Sequence, residues 1–264
     1  MILAPKRIFN PSGRKNLVLH RPNERLDHLN LLHGFGFGEG GVLLAQAPNL
    51  VLARDTDNDG QSDWVRVLLH GFGANMRDLA GLTPAIDPTG YVYACPNAPV
   101  AFQIGPGTTG YGWGAIGGQG DPEEPQRIEE MLLTFIDEVI EQYHVSLGQV
   151  ILGGFSQGGG MTYRCGLTRP EMFAGLVALS SSKVSFDELS SRLPPERTQP
   201  IFIAHGTEDP VSPVERARNA KALLEAEGYT PWYREYPMAH EITQHVIDDL
   251  VPWVHAVLPA RPAE

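Results

Sequence analysis

Cysteine is nearly absent from this chain: Cys95 and Cys165 are the only two in 264 residues, far apart and without C-x-x-C spacing. That excludes a disulfide framework and signals no zinc site. Both read as free, buried thiols that pack as small hydrophobes. Long apolar runs are missing too, and none could span a bilayer. The opening "MILAPKRIFNPSG" has no charged region followed by a long apolar stretch, so no secretory signal is read, and a cytoplasmic protein without membrane insertion is expected. Positive charge is scarce. Lys and Arg number 20 against 31 Asp and Glu, a net charge of −11, which disfavours nucleic acid or an anionic membrane surface as a partner. A small molecule is the expected partner, and a monomer or homodimer the expected assembly.

With 42% hydrophobic and 19% charged residues, the chain is that of an ordinary globular protein with a real core. From residue 64 onward, short Val/Ile/Leu-rich runs alternate with helical patterns, as in βαβ units. The runs are "WVRVLL" (64–69), "GYVYACP" (90–96), "GQVILGG" (148–154), "AGLVALSSS" (174–182) and "PIFIAHG" (200–206). Their lack of clean alternation suits parallel strands buried on both faces. In "DPEEPQRIEEMLLTFIDEVIEQYH", the residues Ile128, Met131, Leu132, Phe135, Ile136, Val139 and Ile140 recur at helical spacing. "SPVERARNAKALLEAEG" reads as a helix that stops at Gly228, and "EITQHVIDDLVPWVHAVL" as a terminal helix that Pro252 should kink or break. The Gly-rich "NAPVAFQIGPGTTGYGWGAIGGQG" reads as a long functional loop. Residues 1–63 are set apart as an atypical extension carrying a hairpin or extra strands, and 64–264 as the catalytic domain.

The strongest local signal is "VILGGFSQGGG", which holds G-x-S-x-G as Gly154, Phe155, Ser156, Gln157 and Gly158. An apolar strand precedes it and the helical text "GGMTYRCGL" follows. That is the setting of a nucleophile elbow, a turn so sharp that its flanks must be small. A serine hydroxyl needs a general base, and the base needs a third group to hold its ring. After Ser156, the acids in "IAHGTEDPVSP" are Glu208 and Asp209, and Asp209 is preferred for its place between a strand and a helix. Of the later histidines, His240 in "REYPMAHEI" lies in a loop able to aim its ring at the serine. His245 and His255 fall in helical text and read as surface or packing residues, and His205 as a strand-end residue bonded to backbone.

Acyl transfer also needs two N–H donors for the developing oxyanion. Gln157, just after the serine, supplies one. The hexapeptide "LLHGFG" occurs twice, at 31–36 and 68–73, and only the second follows a buried strand. Phe72 is therefore the expected second donor, and the first copy is read as an echo.

On these pieces, with "VLLHGFGANMRDL", "CPNAPV", "GYGWGAI", "IAHGTEDPVSPVERA" and "YREYPMAHEI", residues 65–258 resemble the phospholipase/carboxylesterase family of serine hydrolases. The resemblance implies an α/β-hydrolase fold: a mostly parallel central sheet with helices on both faces and no large lid domain. It implies Ser156, Asp209 and His240 as a triad, and Phe72 with Gln157 as the oxyanion hole. It also implies Trp113 and Met238 as lining of the acyl pocket. No cofactor is implied. The substrate is expected to be a small carboxylic ester of short to medium acyl length. A thioester or lysophospholipid, or a silent hydrolase-fold binding protein, are the alternatives.

The amino-terminal quarter departs from the family. Residues 36–73 resemble a fragment of bacterial propeller-type membrane-bound dehydrogenases. Within them Asp55, Asp57, Asp59, Gly60 and Asp63 have the spacing of an EF-hand-like calcium loop. Position twelve, where a bidentate Glu belongs, is Arg66, so a solvated hairpin turn is the favoured reading and no metal is assigned.

Overall fold

The computed structural model describes residues 64–86, 91–114, 121–182 and 185–258, with the backbone alone of 29–33 and 48–52. In chain order, strands β1 (Leu29–His33) and β2 (Pro48–Leu52) precede β3 (Val65–Leu69), α1 (Arg77–Ala80), α2 (Thr83–Ile86) and β4 (Val92–Cys95). Next come β5 (Val100–Gly105), β6 (Thr108–Gly112), α3 (Glu124–Gln142), β7 (Val150–Phe155) and α4 (Gln157–Gly166). The chain continues through β8 (Phe173–Leu179), α5 (Phe186–Ser190), β9 (Ile201–Gly206), α6 (Glu215–Ala226), β10 (Trp232–Tyr236) and α7 (Gln244–Val257).

Eight strands form one sheet in the order β1-β2-β4-β3-β7-β8-β9-β10. From β4 to β10 every pairing is parallel, while β1 and β2 join antiparallel at one edge. Alternate residues of each strand feed opposite faces, as the pleat requires. Val150 and Leu152 of β7 pack with Ile128, Leu132, Ile136 and Val139 of α3. Ile151 and Phe155 of the same strand pack with Leu79 of α1 and with Val246, Leu250 and Val254 of α7. Burial on both faces explains why the strand text shows no clean alternation. Both cysteines are buried and free, and burial pushes the Cys95 thiol up to about 12 and the Cys165 thiol higher still.

Three expectations need amending. The Gly-rich stretch is not all loop, because β5 and β6 pair as an antiparallel hairpin. Its glycines weaken the strand signal but allow close docking. A Cβ on Gly110 would stand 2.6 Å from the Gly73 carbonyl oxygen, and one on Gly112 2.9 Å from the Phe72 ring. Pro252 does not divide the last helix, which runs unbroken from Gln244 to Val257. Pro252 and Asp248, whose carbonyl loses its helical donor there, are both exposed, so water can take the vacant acceptor. Finally, Leu31–His33 of the first "LLHGFG" lie in β1 at the sheet edge, three strand positions from β3.

The acidic turn at 55–63 lies outside the described residues. Arg66, its twelfth position, is buried in β3 with its guanidinium 3.4 Å from the centre of the Tyr91 ring and Nη1 donating to the Tyr93 hydroxyl at 2.6 Å. It faces an aromatic shelf inside the fold.

Ile136 is fully buried on α3 in the core between that helix and the sheet. Ile136→Ala should lower unfolding free energy in urea by about 2–5 kcal/mol. A loss under about 1 kcal/mol would mean that the contact between α3 and the sheet is not a tight one.

Candidate active site

The chain reverses between β7 and α4 at Ser156, which holds φ 54° and ψ −116°. A non-glycine residue at positive φ is strained, and such strain persists only where the surroundings overdetermine it. Here they do. A Cβ on Gly154 would lie 2.3 Å from the Gly158 carbonyl, and one on Gly158 2.2 Å from the Leu69 carbonyl oxygen. Glycine at both flanks lets the turn press against the end of β3.

Two other loops at the carboxyl ends of strands meet this turn. Asp209 follows β9, where its Oδ1 accepts the N–H groups of Val211 and Ser212 at 2.9 and 2.7 Å. Its Oδ2 accepts Nδ1–H of His240 at 2.6 Å. Nε2 of the same ring is then an acceptor, and Ser156 Oγ donates to it at 3.0 Å. Burial alone would raise the Asp209 carboxyl, but the Ser212 N–H, the His240 ring and the Val211 N–H together hold it below the usual carboxylate range. The His240 ring also rests on Phe155, with ring centres 4.7 Å apart. Glu208 N–H donates to the Met238 carbonyl at 3.1 Å, which ties the acid loop to the histidine loop. The structure thus brings Ser156, His240 and Asp209 into one hydrogen-bonded line.

His205 sits beneath that line, fully buried. Its Nε2 donates to the Ser212 carbonyl at 2.7 Å and lies 3.5 Å from Asp209 Oδ2. It bonds backbone at the strand end, as the sequence suggested, and burial holds its pKa below the ordinary value.

The loop after β3 supplies the other wall. A Cβ on Gly71 would be 3.3 Å from Ser156 Cβ, so the loop lies directly against the serine. Neither Phe72 N–H nor Gln157 N–H has an acceptor among the described residues. Two N–H groups without an acceptor among the described residues thus lie near the serine, one in the turn itself and one in the loop packed against it. His70 fixes the loop from within: Nδ1 donates to the Gly71 carbonyl at 2.8 Å, and Nε2 accepts Ala98 N–H at 3.0 Å.

Trp113 joins these parts. Its N–H donates to Gln157 Oε1 at 2.7 Å and its indole N–H to the His70 carbonyl at 2.9 Å, while Gln157 Nε2 donates to the Gly114 carbonyl at 3.2 Å. Trp113 also lines a cavity of about 200 Å³ with Gln157, Gly160, Met161, Arg164 and Leu189. Met238 is not in that wall, since its side chain lies in the core with Phe155 and Ile242 and accepts the Thr243 hydroxyl at Sδ, 3.5 Å away. Sequence reasoning missed Arg164, His70 and the Gln157 amide. Helical spacing could have found Arg164, which stands seven residues after Gln157 on α4. Among the described residues no cluster of His, Cys, Asp or Glu could hold a metal ion, and no helix is long and apolar enough to cross a membrane.

Comparison with known proteins gives a consistent picture. The profile of the Phospholipase/Carboxylesterase family matches residues 56–258, which takes in part of the stretch that resembles a dehydrogenase fragment. Acyl-protein thioesterase 1 of Gibberella zeae is 34% identical over 118 residues, 43% of this chain and 50% of that protein. In such relatives, at 30–35% identity, the chain spans about half their length. Acyl-protein thioesterase 1 of Kluyveromyces lactis is 27% identical over 214 residues, 74% of this chain and 92% of that protein. Among solved structures, esterase PE8 is 25% identical with a TM-score of 0.67, covering 79% of this chain and 97% of its own. The Bacillus cereus carboxylesterase has a TM-score of 0.64 at 20% identity, covering 81% and 96%, and it speaks to the fold alone.

The His70 ring carries a pH prediction. Burial pushes its pKa down to about 4, against a weaker upward pull from the Gly71 bond, whereas its ordinary value is 6.5. Between those values the unfolded chain binds the extra proton, so stability falls as the pH falls. By pH 4.5 the loss is about 2 kcal/mol. In urea unfolding the parent should lose that much more than His70→Gln between pH 7 and pH 4.5. Equal losses would show that the ring is not held neutral.

Proposed function

The chain belongs to the phospholipase/carboxylesterase family and has the α/β-hydrolase fold, and on that premise we propose that it hydrolyses carboxylic esters through an acyl-enzyme on Ser156. The observation that carries this reading is the line Ser156 Oγ to His240 Nε2 at 3.0 Å and His240 Nδ1 to Asp209 Oδ2 at 2.6 Å. In the first half-reaction Ser156 Oγ attacks the acyl carbonyl as its proton passes to His240 Nε2. Asp209 keeps the ring in the tautomer that can accept that proton, and stabilises the imidazolium that results. The oxyanion takes hydrogen bonds from the N–H groups of Phe72 and Gln157, and collapse of the intermediate expels the alcohol, protonated by His240. Water then attacks the acyl-enzyme with His240 as base, releasing the acid and restoring the serine. No step calls for a cofactor.

Esters of short to medium acyl length are the proposed substrates, on the strength of the modest cavity beside Gln157. The same steps cleave a thioester, and the relatives named acyl-protein thioesterase 1 favour that as a second substrate class. Residues 64–264 are taken as the catalytic unit. Residues 1–63 are then an added segment, and β1 and β2 within it extend the sheet at the edge away from Ser156.

Ser156→Ala should keep the parent's circular dichroism and melting profile while its turnover of p-nitrophenyl butyrate drops by about a thousandfold or more. A fluorophosphonate probe should label the parent and not the variant. Unchanged turnover in the variant would remove Ser156 from the mechanism. A parent that neither turns over ester nor takes the probe would make this a hydrolase-fold binding protein.

A further inference from the structure

The cavity beside Ser156 does not close on an apolar wall. Four residues of α4 face it, Gln157, Gly160, Met161 and Arg164, at the i, i+3, i+4, i+7 spacing of one helix stripe. The near end adjoins the serine turn, because Gln157 follows Ser156 directly and Ser182, another lining residue, donates its N–H to the Ser156 carbonyl at 2.9 Å. Seven residues of helix carry the stripe about 10 Å onward to Arg164. Side chains on a helix lean toward its N-terminus, so the guanidinium reaches back toward the serine. Trp113 and Leu189 make the middle apolar, and Gly160 leaves it open. About 200 Å³ holds some six water-sized groups.

At the far end two arginines meet two glutamates, one carboxylate buried and one exposed. Arg164 Nε lies 2.8 Å from Glu129 Oε2 as an ion pair without hydrogen-bond geometry, its Nη1–H donates to Glu188 Oε2 at 3.1 Å, and its Nη2 has no partner among the described residues. Glu129 is 2% exposed and is shared, since both Nη atoms of Arg192 donate to it. One buried carboxylate therefore serves two guanidinium groups. The remaining counter-charge is Glu188, whose side chain is 62% exposed and holds Arg164 by one contact. Such an exposed pair is weak. A carboxylate entering the cavity from the serine side meets a guanidinium with donors to spare, and a charge-assisted bond there is stronger than a neutral one.

We propose that this cavity reads a carboxylate: the preferred substrates are esters in which one half ends in a carboxylate a few bonds from the scissile carbonyl, received by Arg164. The proposal rests on the reading of Ser156 as nucleophile and adds the substrate class. The chain's net charge of −11 repels anions at long range, so any preference for one must come from a local cation.

The test compares kcat/KM for matched pairs by proton release. Monomethyl adipate against methyl hexanoate places the carboxylate on the acyl side, and 6-acetoxyhexanoate against hexyl acetate places it on the alcohol side. In one of the two pairs the parent should prefer the carboxylate by about tenfold to a hundredfold. Arg164→Gln, in which Glu129 keeps Arg192, should abolish that ratio. Glu188→Gln, a change at the surface, should raise it by freeing the guanidinium. A purely structural role for Arg164 would lower both members of a pair together and leave the ratio intact, which would overturn the proposal. So would the absence of preference in both pairs while the neutral esters are cleaved. Failure of the parent to cleave any of the four esters or to take a fluorophosphonate would overturn the hydrolase reading, and this proposal with it.

Discussion

The turn at Ser156 is the constraint on which the rest of the site depends. A serine held at φ 54° between two glycines is tolerable only because β7 lies parallel between β3 and β8 and both neighbours press on it. The Leu69 carbonyl meets Gly158, and the Leu179 carbonyl accepts Ser156 N–H at 2.9 Å. That geometry turns the serine hydroxyl out at the sheet's carboxyl edge. The same reversal starts α4 with an N–H that has no acceptor among the described residues. Exposed hydroxyl and open donor are thus two results of one backbone strain.

Around the turn, burial sorts the ionisable groups. Asp209 stays an anion because three hydrogen bonds outweigh its desolvation. His70 and His205 are driven toward neutrality by burial, which suits rings that bond to main-chain groups. The buried thiols are pushed up and out of reach as nucleophiles. His240, at 9% exposure, is the imidazole at the boundary between the acid loop and solvent.

The cavity shows a different economy. The walls near the serine are made of groups already committed elsewhere: the Gln157 amide to Trp113 and Gly114, and the Trp113 indole to His70. Those bonds tie the loop after β3 and the hairpin loop at Trp113 to the start of α4. Farther along α4, two arginines share one buried glutamate, and the second counter-charge, Glu188, is an exposed carboxylate.

Much of this was legible in the text of the chain. The serine turn, the acid after β9 and the histidine before α7 each follow or precede a strongly apolar run, and local pattern suffices to mark them. The doubled "LLHGFG" was separable for the same reason, since only one copy follows a buried strand. The β5–β6 hairpin was hidden because Gly105, Gly107, Gly110 and Gly112 erase strand propensity. Gly110 and Gly112 are glycines because the loop after β3 packs on them, a fact about distant residues, while Gly107 holds a positive φ in the turn. Met238 was read from its place two residues before His240 and lies instead in the core with Phe155 and Ile242, because sequence proximity to a site residue does not fix which packing partners a side chain meets.

The amino-acid sequence by itself determined the layered αβ order, the strained serine and the chemical identity of its partners, since period, glycine placement and residue type are local properties. Only the tertiary structure decided which histidine nitrogen meets which oxygen, that Trp113 ties two loops together, and that Arg164 looks into a cavity. Those depend on distances between segments 30 to 90 residues apart, which the parallel sheet sets by bringing the carboxyl ends of β3, β7 and β9 to one edge.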